Sequence, residues 1–147
     1  MKFEASIQGG AEFEKLLRQL GQEAFPVMVQ SGYQSFERIM ATSKEEYVPV
    51  DQGTLRASGH VAAPKISGQA AEITMGFGGP AAPYALAVHE NPRAGKTGGI
   101  SPQGKAYESW ARTGEWKYLE TPLKAGLPGI EAHMKADLVA YHARKAR

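Results

Sequence analysis

With 147 residues the chain has room for one domain with a substantial core, and its apolar fraction of 42% carries no signature of global disorder. A formal net charge of +2 is too slight for a protein that coats nucleic acid, so any basic face must be local. The absence of cysteine excludes disulfides, thiolate catalysis and thiolate metal sites, no apolar run approaches the roughly 18 residues of a membrane span, and Met1–Ser6 lacks the apolar core of a signal peptide.

Residues Lys2 to Gln8 alternate, with Phe3, Ala5 and Ile7 on one side, which predicts a half-buried strand ended by Gly9-Gly10. From Ala11 to about Glu46 the spacing becomes helical. Phe13, Leu16, Leu17, Leu20, Ala24 and Met28 recur at three and four residues, and Phe36, Ile39 and Met40 resume the stripe. These side chains are expected in a core. Gly21, Pro26 and Gly32 interrupt the segment, and Pro26 predicts a kink or a junction of two helices.

Pro49 pushes Val48 toward an extended conformation, so the helix should stop at or before Val48. Asp51-Gln52-Gly53 supplies turn chemistry, and Thr54-Leu55-Arg56 reads as one helical turn. Ser58–Ile66 and Ala70–Phe77 then read as two strands of an antiparallel hairpin around Ser67-Gly68-Gln69, with Pro64 marking an edge or bulge. Tyr84–Glu90 is expected to end as a further strand, because a hairpin needs a neighbour to bury a face.

The segment from Asn91 to Gly114 is rich in glycine and carries the basic residues Arg93, Lys96, Lys105 and Arg112 against a single acid, Glu108. A connection of that length without its own structure is functional or disordered. It is expected to be a flexible arm, with Tyr107 and Trp110 ordering part of it against a partner. Helical spacing returns from Trp116 through Leu119, Leu123, Leu127, Ile130, Met134, Leu138 and Tyr141, with a break expected near Gly126, Pro128 and Gly129. The basic end, Arg144-Lys145-Ala146-Arg147, suits the negative end of a helix dipole as well as it suits a partner.

Chemistry is sparse. His60, His89, His133 and His142 show no HExxH or zinc spacing, and His133 and His142 are joined by no carboxylate-rich cluster. His89, beside Glu90, is expected to be a satisfied surface or interface residue. Gly95-Lys96-Thr97 would need glycine at position 90 to make a phosphate loop, and Glu90 stands there. No GxSxG element surrounds any serine. No catalytic, cofactor-binding or metal-binding residues are therefore expected.

Three strings carry a resemblance. Val48-Pro49-Val50-Asp51-Gln52-Gly53-Thr54-Leu55-Arg56-Ala57-Ser58 resembles the corner "VPVDTGxLRxS" of the small tail-completion (head–tail joining, neck) proteins of long-tailed bacteriophages. Tyr84-Ala85-Leu86-Ala87-Val88-His89-Glu90 is similar to that family's "YAxYVHE", and Lys117-Tyr118-Leu119-Glu120-Thr121-Pro122-Leu123 to its "KFLExPL", in the same order. The chain departs from the pattern at Gln52, where the family often has threonine, and after Glu90, where it is longer and richer in glycine.

The resemblance implies a non-enzymatic protein that joins tail to head in a virion, made in the host cytoplasm, without cofactors. Its partners would be copies of itself in a ring, neighbouring neck, connector and tail-tube proteins, and genomic DNA in the lumen through non-specific contacts. Loop composition makes Arg93, Lys96, Lys105, Trp110 and Arg112 the candidate partner-binding residues. The fold expected is α+β: a long N-terminal helix and a C-terminal helix on a small, mainly antiparallel sheet, as one domain over 1–147. Another minor tail or capsid-associated virion protein is the neighbouring reading. A free-standing nucleic-acid-binding module and a small hydrolase or protease are the readings from other classes.

Overall fold

The computed structural model describes residues 11–92, 94–95, 99–100, 106–107 and 114–147. The strand expected over Lys2–Gln8 lies outside them. The fold is α+β, as the sequence predicts. Helices α1 (Ala11–Leu20) and α2 (Ala24–Thr42) lead into a π-helical turn (Ser43–Tyr47) and a short helix α3 (Thr54–Ala57). Strands β1 (His60–Val61), β2 (Lys65–Ser67), β3 (Ala70–Glu72) and β4 (Met75–Gly76) follow. Next come α4 (Ala85–His89), β5 (Gly99–Ile100), β6 (Ala106–Tyr107) and the long helix α5 (Glu120–Lys145).

The N-terminal helical segment breaks at Gly21–Glu23, a 3-10 turn, and not at Pro26. Gly21 takes φ +56°, a conformation that ends α1 cheaply only because it has no Cβ. Pro26 then falls in the first turn of α2, where its missing N–H has no helical partner to lose. At the other end Val48 N–H bonds Ser43 O at 2.8 Å, and Val48 turns extended ahead of Pro49, so the helix stops where the proline requires.

Helices α2 and α5 pack antiparallel: Ala24 shares a small cluster with Leu20 and Leu138, Ser35 meets His133, and Ile39 lies against Gly126. Gly32 and Gly126 are therefore packing residues rather than interruptions. A Cβ on Gly32 would come within 2.7 Å of Met134 Cε, and one on Gly126 within 2.6 Å of Ile39 Cδ1 and Cγ1. Helix α5 runs unbroken through Gly126, Pro128 and Gly129, contrary to the expected break. Pro128 is exposed, so the carbonyl of Lys124 that loses its helical donor can be solvated.

The main core gathers Ile39, Met40, Val48, Leu55, Met75, Phe77, Ala82, Ala85, Tyr118, Leu119, Leu123 and Ile130. It lies between the C-terminal half of α2, the corner at 47–58, β4 and the start of α5. The predicted hairpin exists as two short antiparallel ladders, β1–β4 inside and β2–β3 outside, linked by the Ala62 N–H to Thr74 O bond of 2.7 Å. Tyr84–Glu90 does not end as a strand. It forms α4, whose Ala85 and His89 face inward at four-residue spacing, so a helical turn covers the core where a third strand was expected.

The packing predicts opposite signs for two substitutions in one helix. Gly126→Ala should lower unfolding free energy by about 1 kcal/mol, because overpacking against Ile39 outweighs the propensity gain. Gly129→Ala meets nothing within 4 Å and should raise it by about 0.5–1 kcal/mol. Urea denaturation followed by far-UV circular dichroism reads both.

Candidate functional site

The three strings that carry the resemblance are far apart in sequence and meet in space. Ser43 Oγ donates to Tyr118 O at 2.6 Å, and Glu115 N–H donates to Tyr47 O at 2.8 Å. Lys117 N–H donates to His89 O at 2.8 Å. Gly114, at φ +97°, sits so close to Pro49 that a Cβ would lie 2.6 Å from the proline N and Cα. Corner, α4 and the entrance to α5 are thus one unit.

Tyr118 is its centre. The ring is fully buried, edge-on to Phe77 at 5.1 Å and to His89 at 5.0 Å, and its hydroxyl donates to Ala85 O at 2.6 Å. Burial pushes its pKa well above the ordinary phenol value. Lys117 takes φ +57°, the one non-glycine with positive φ among the described residues, at a cost of about 1–2 kcal/mol. That turn lets Tyr118 point inward while Lys117 stays outside.

His89 is buried, not a surface residue. Its Nδ1 lies 2.7 Å from Glu90 Oε1, and Nε2 faces Glu120 N–H at 3.4 Å. A carboxylate can only accept and an N–H can only donate, so the neutral Nδ1–H tautomer fits both. Burial lowers the His89 pKa, against the opposing pull of Glu90. At the rim Lys117 Nζ bridges Glu90 Oε2 at 2.6 Å and Glu120 Oε2 at 3.1 Å, and Lys124 pairs with Glu120. The hydrogen bond from Lys117 holds the Glu90 carboxyl below its ordinary range, helped by His89. Lys124 and then Lys117 do the same for Glu120, and Glu90 raises Lys117. Every charge here is answered by a neighbour. The arrangement positions backbone and leaves no base or nucleophile facing open space.

A second polar cluster went unseen in the sequence. His133 Nδ1 lies 3.1 Å from Ser31 Oγ and 3.0 Å from Ser35 Oγ, while Nε2 meets Arg38 Nη1 at 2.9 Å and Asp137 at 3.6 Å. The residue types suggest a hydrolytic triad, but the polarity is wrong. Arg38 can only donate, so Nε2 accepts and Nδ1 carries the proton toward the serines. The imidazole cannot then take a proton from either hydroxyl, and Ser31 and Ser35 are 1% and 6% exposed. The cluster joins α2 to α5. The spacing of Ser31 with Ser35, and of His133 with Asp137, each i,i+4, was the available signal.

The candidate partner-binding residues Arg93, Lys96, Lys105, Trp110 and Arg112 lie outside the described residues. What is described is the base of their segment. Gly95 bridges Glu115, Gly99–Ile100 pairs antiparallel with Ala106–Tyr107, and a Cβ on Gly95 would overlap the Gly114 carbonyl. The segment expected to lack structure of its own therefore carries an antiparallel bridge at its base and one short antiparallel pair. Among the described residues no group of three or more His, Asp or Glu side chains could hold a metal ion, and no helix is long and apolar enough to cross a membrane. No family model, curated protein or solved structure matches the chain.

Two measurements follow from this geometry. Tyr118→Phe removes the buried hydroxyl's bond to Ala85 O and should cost about 1 kcal/mol in urea unfolding. The folded-state pKa values of His89, Glu90 and Glu120 are all depressed, so the stability they contribute is present above the unfolded values and is lost as pH falls. Thermal midpoints should decline first below about pH 6.5, from His89, and again below about 4.5, from the carboxylates. His89→Gln should flatten the first step and keep the second.

Proposed function

We propose that this chain is a non-catalytic structural protein of a bacteriophage virion, a ring-forming tail-completion or neck component that joins tail to head during assembly. The observation that carries the reading is that the three collinear strings resembling that family contribute to one buried core, Val48 and Leu55 from the first, Ala85 from the second and Tyr118, Leu119 and Leu123 from the third. Strings that meet this way act together in holding a scaffold. The ladder based on Gly95 and Glu115 and the basic residues beyond it would contact neighbouring neck, connector and tail-tube proteins, or genomic DNA through salt-sensitive, sequence-independent contacts. The saturated ion pairs around Lys117 and the reversed polarity at His133 favour a structural over a catalytic role. Another minor tail or capsid-associated component of the same virion is the nearest alternative.

The test is electron microscopy of particles from a phage or prophage carrying this gene with an early stop codon. DNA-filled heads beside separate, full-length tails are expected. Normal, infectious virions would overturn the reading.

A further inference from the structure

An open cleft of about 400 Å³ lies between one face of α2 and the C-terminal half of α5. It takes Gln30, Ser31 and Gln34 from α2, and Asp137, Tyr141 and Arg144 from α5. Its volume falls within the roughly 300–1,000 Å³ of ligand clefts, and Pro26 and Val27 give it an apolar end.

The polar groups along it are not spent on one another. Ser35 Oγ donates to Ser31 O, and His133 Nδ1–H faces both serine oxygens, so each hydroxyl oxygen already serves as an acceptor. The hydroxyl hydrogen of Ser31 is left without an acceptor among the described residues, although the side chain is buried and lines the cleft. A buried donor in that state is costly, and an oxygen entering the cleft would satisfy it. Gln30, Gln34 and Arg144 likewise hold no hydrogen bond or ion pair. Glu23, the acid tied to Tyr141, is also held by Lys145, and Asp137 stands 3.6 Å from His133 Nε2.

These groups select the occupant. A helix laid in the cleft would spend its backbone groups internally and bury the Ser31 hydroxyl and both glutamine amides against side chains. An extended chain keeps its peptide groups free. Gln30 and Gln34 are about 6 Å apart along α2, close to the roughly 6.6 Å between alternate residues of an extended chain. Each glutamine amide can then donate to and accept from one peptide unit. Arg144 is an unanswered guanidinium, about 10 Å along α5 from Asp137, so a carboxylate fits at the Arg144 end and away from the acid. We propose that this cleft binds an extended peptide segment carrying an acidic side chain. The carboxylate meets Arg144, a peptide carbonyl accepts from Ser31, and Gln30 and Gln34 hold the flanking peptide groups. The inference rests on the cleft alone and stands whether or not the chain belongs to a virion.

Titration of the full chain with short capped peptides, followed by amide chemical shifts in NMR, tests it. The probe is alternating valine and threonine with one central glutamate. Saturable shifts confined to the cleft residues of α2 and α5 are expected. Replacing the glutamate by glutamine in the peptide, or Arg144→Gln in the protein, should each weaken binding about tenfold, the scale of one charge-assisted bond. Combining the two should weaken it little further, because both remove the same contact. Gln30→Ala with Gln34→Ala should weaken both peptides alike, with circular dichroism unchanged. Shifts that never saturate or that lie elsewhere overturn the inference. So does Arg144→Gln binding the acidic peptide as the wild type does. Acetate alone binding as tightly as the peptide would make the ligand a free carboxylate, and an apolar helical peptide binding there more tightly would make it a helix; either overturns the extended-peptide assignment.

Discussion

The fold depends on how Tyr118 is held. Its ring closes the main core from the α5 side, yet the residue before it must adopt a left-handed backbone to deliver it. That strain persists only because both flanks are fixed from outside the segment. Ser43 binds the Tyr118 carbonyl, Ala85 accepts from its hydroxyl, and Lys117 is held by the His89 carbonyl behind it and by Glu90 and Glu120 in front. Removing any one support loosens the others, since all act on consecutive residues. The His89–Glu90 pair belongs to this arrangement. Its buried imidazole fills space against the tyrosine ring and orients the carboxylate that binds Lys117.

The seam between α2 and α5 has a different logic. Apolar clusters lie towards both ends, around Leu138 at one and Ile39 with Ile130 at the other. Between them sit the glycine approach at Gly32 and the polar contacts of Ser31 and Ser35 with His133. Apolar contact alone would let two antiparallel helices slide by a turn at modest cost. A slip here would part His133 from the buried Ser31 and Ser35 hydroxyls and drive Met134 off the one position without a Cβ. The polar middle therefore fixes register, and the apolar ends supply most of the adhesion.

This division explains what was legible in the sequence. Helical spacing, the Pro49 stop, the turn at Gly53 and the hairpin around Gly68 are local signals, and each appears where its chemistry places it. Gly126 and Pro128 misled because a helix breaker and a residue at a close helix contact look alike without the opposing helix. Pro26 misled because its effect depends on position within a helix, and Gly21 had already reset the count. Tyr84–Glu90 could satisfy either period over so short a run, and the choice was made by the core beneath it. His89 and His133 were invisible as partners because their contacts span the chain. Arg93, Lys96, Lys105, Trp110 and Arg112 lie outside the described residues, and the polar contacts described are those around Tyr118 and His133.

The corner at 47–58 ties two distant parts of the chain to the core. It fastens the inner end of the hairpin and the Gly95–Glu115 bridge. Ser58 Oγ donates to Leu55 O and accepts the Gly78 N–H at 3.0 Å, tying the hairpin's inner end to the corner. Gly59 leaves no room for a Cβ between Phe77 and Met40, which keeps β1 pressed on α2. At the start of the corner Tyr47 O takes the Glu115 N–H and Pro49 lies on Gly114, fixing one side of the Gly95–Glu115 bridge. The same corner thus holds the inner end of the hairpin and the Gly95–Glu115 bridge against one core, so neither can shift without disturbing the packing around Tyr118.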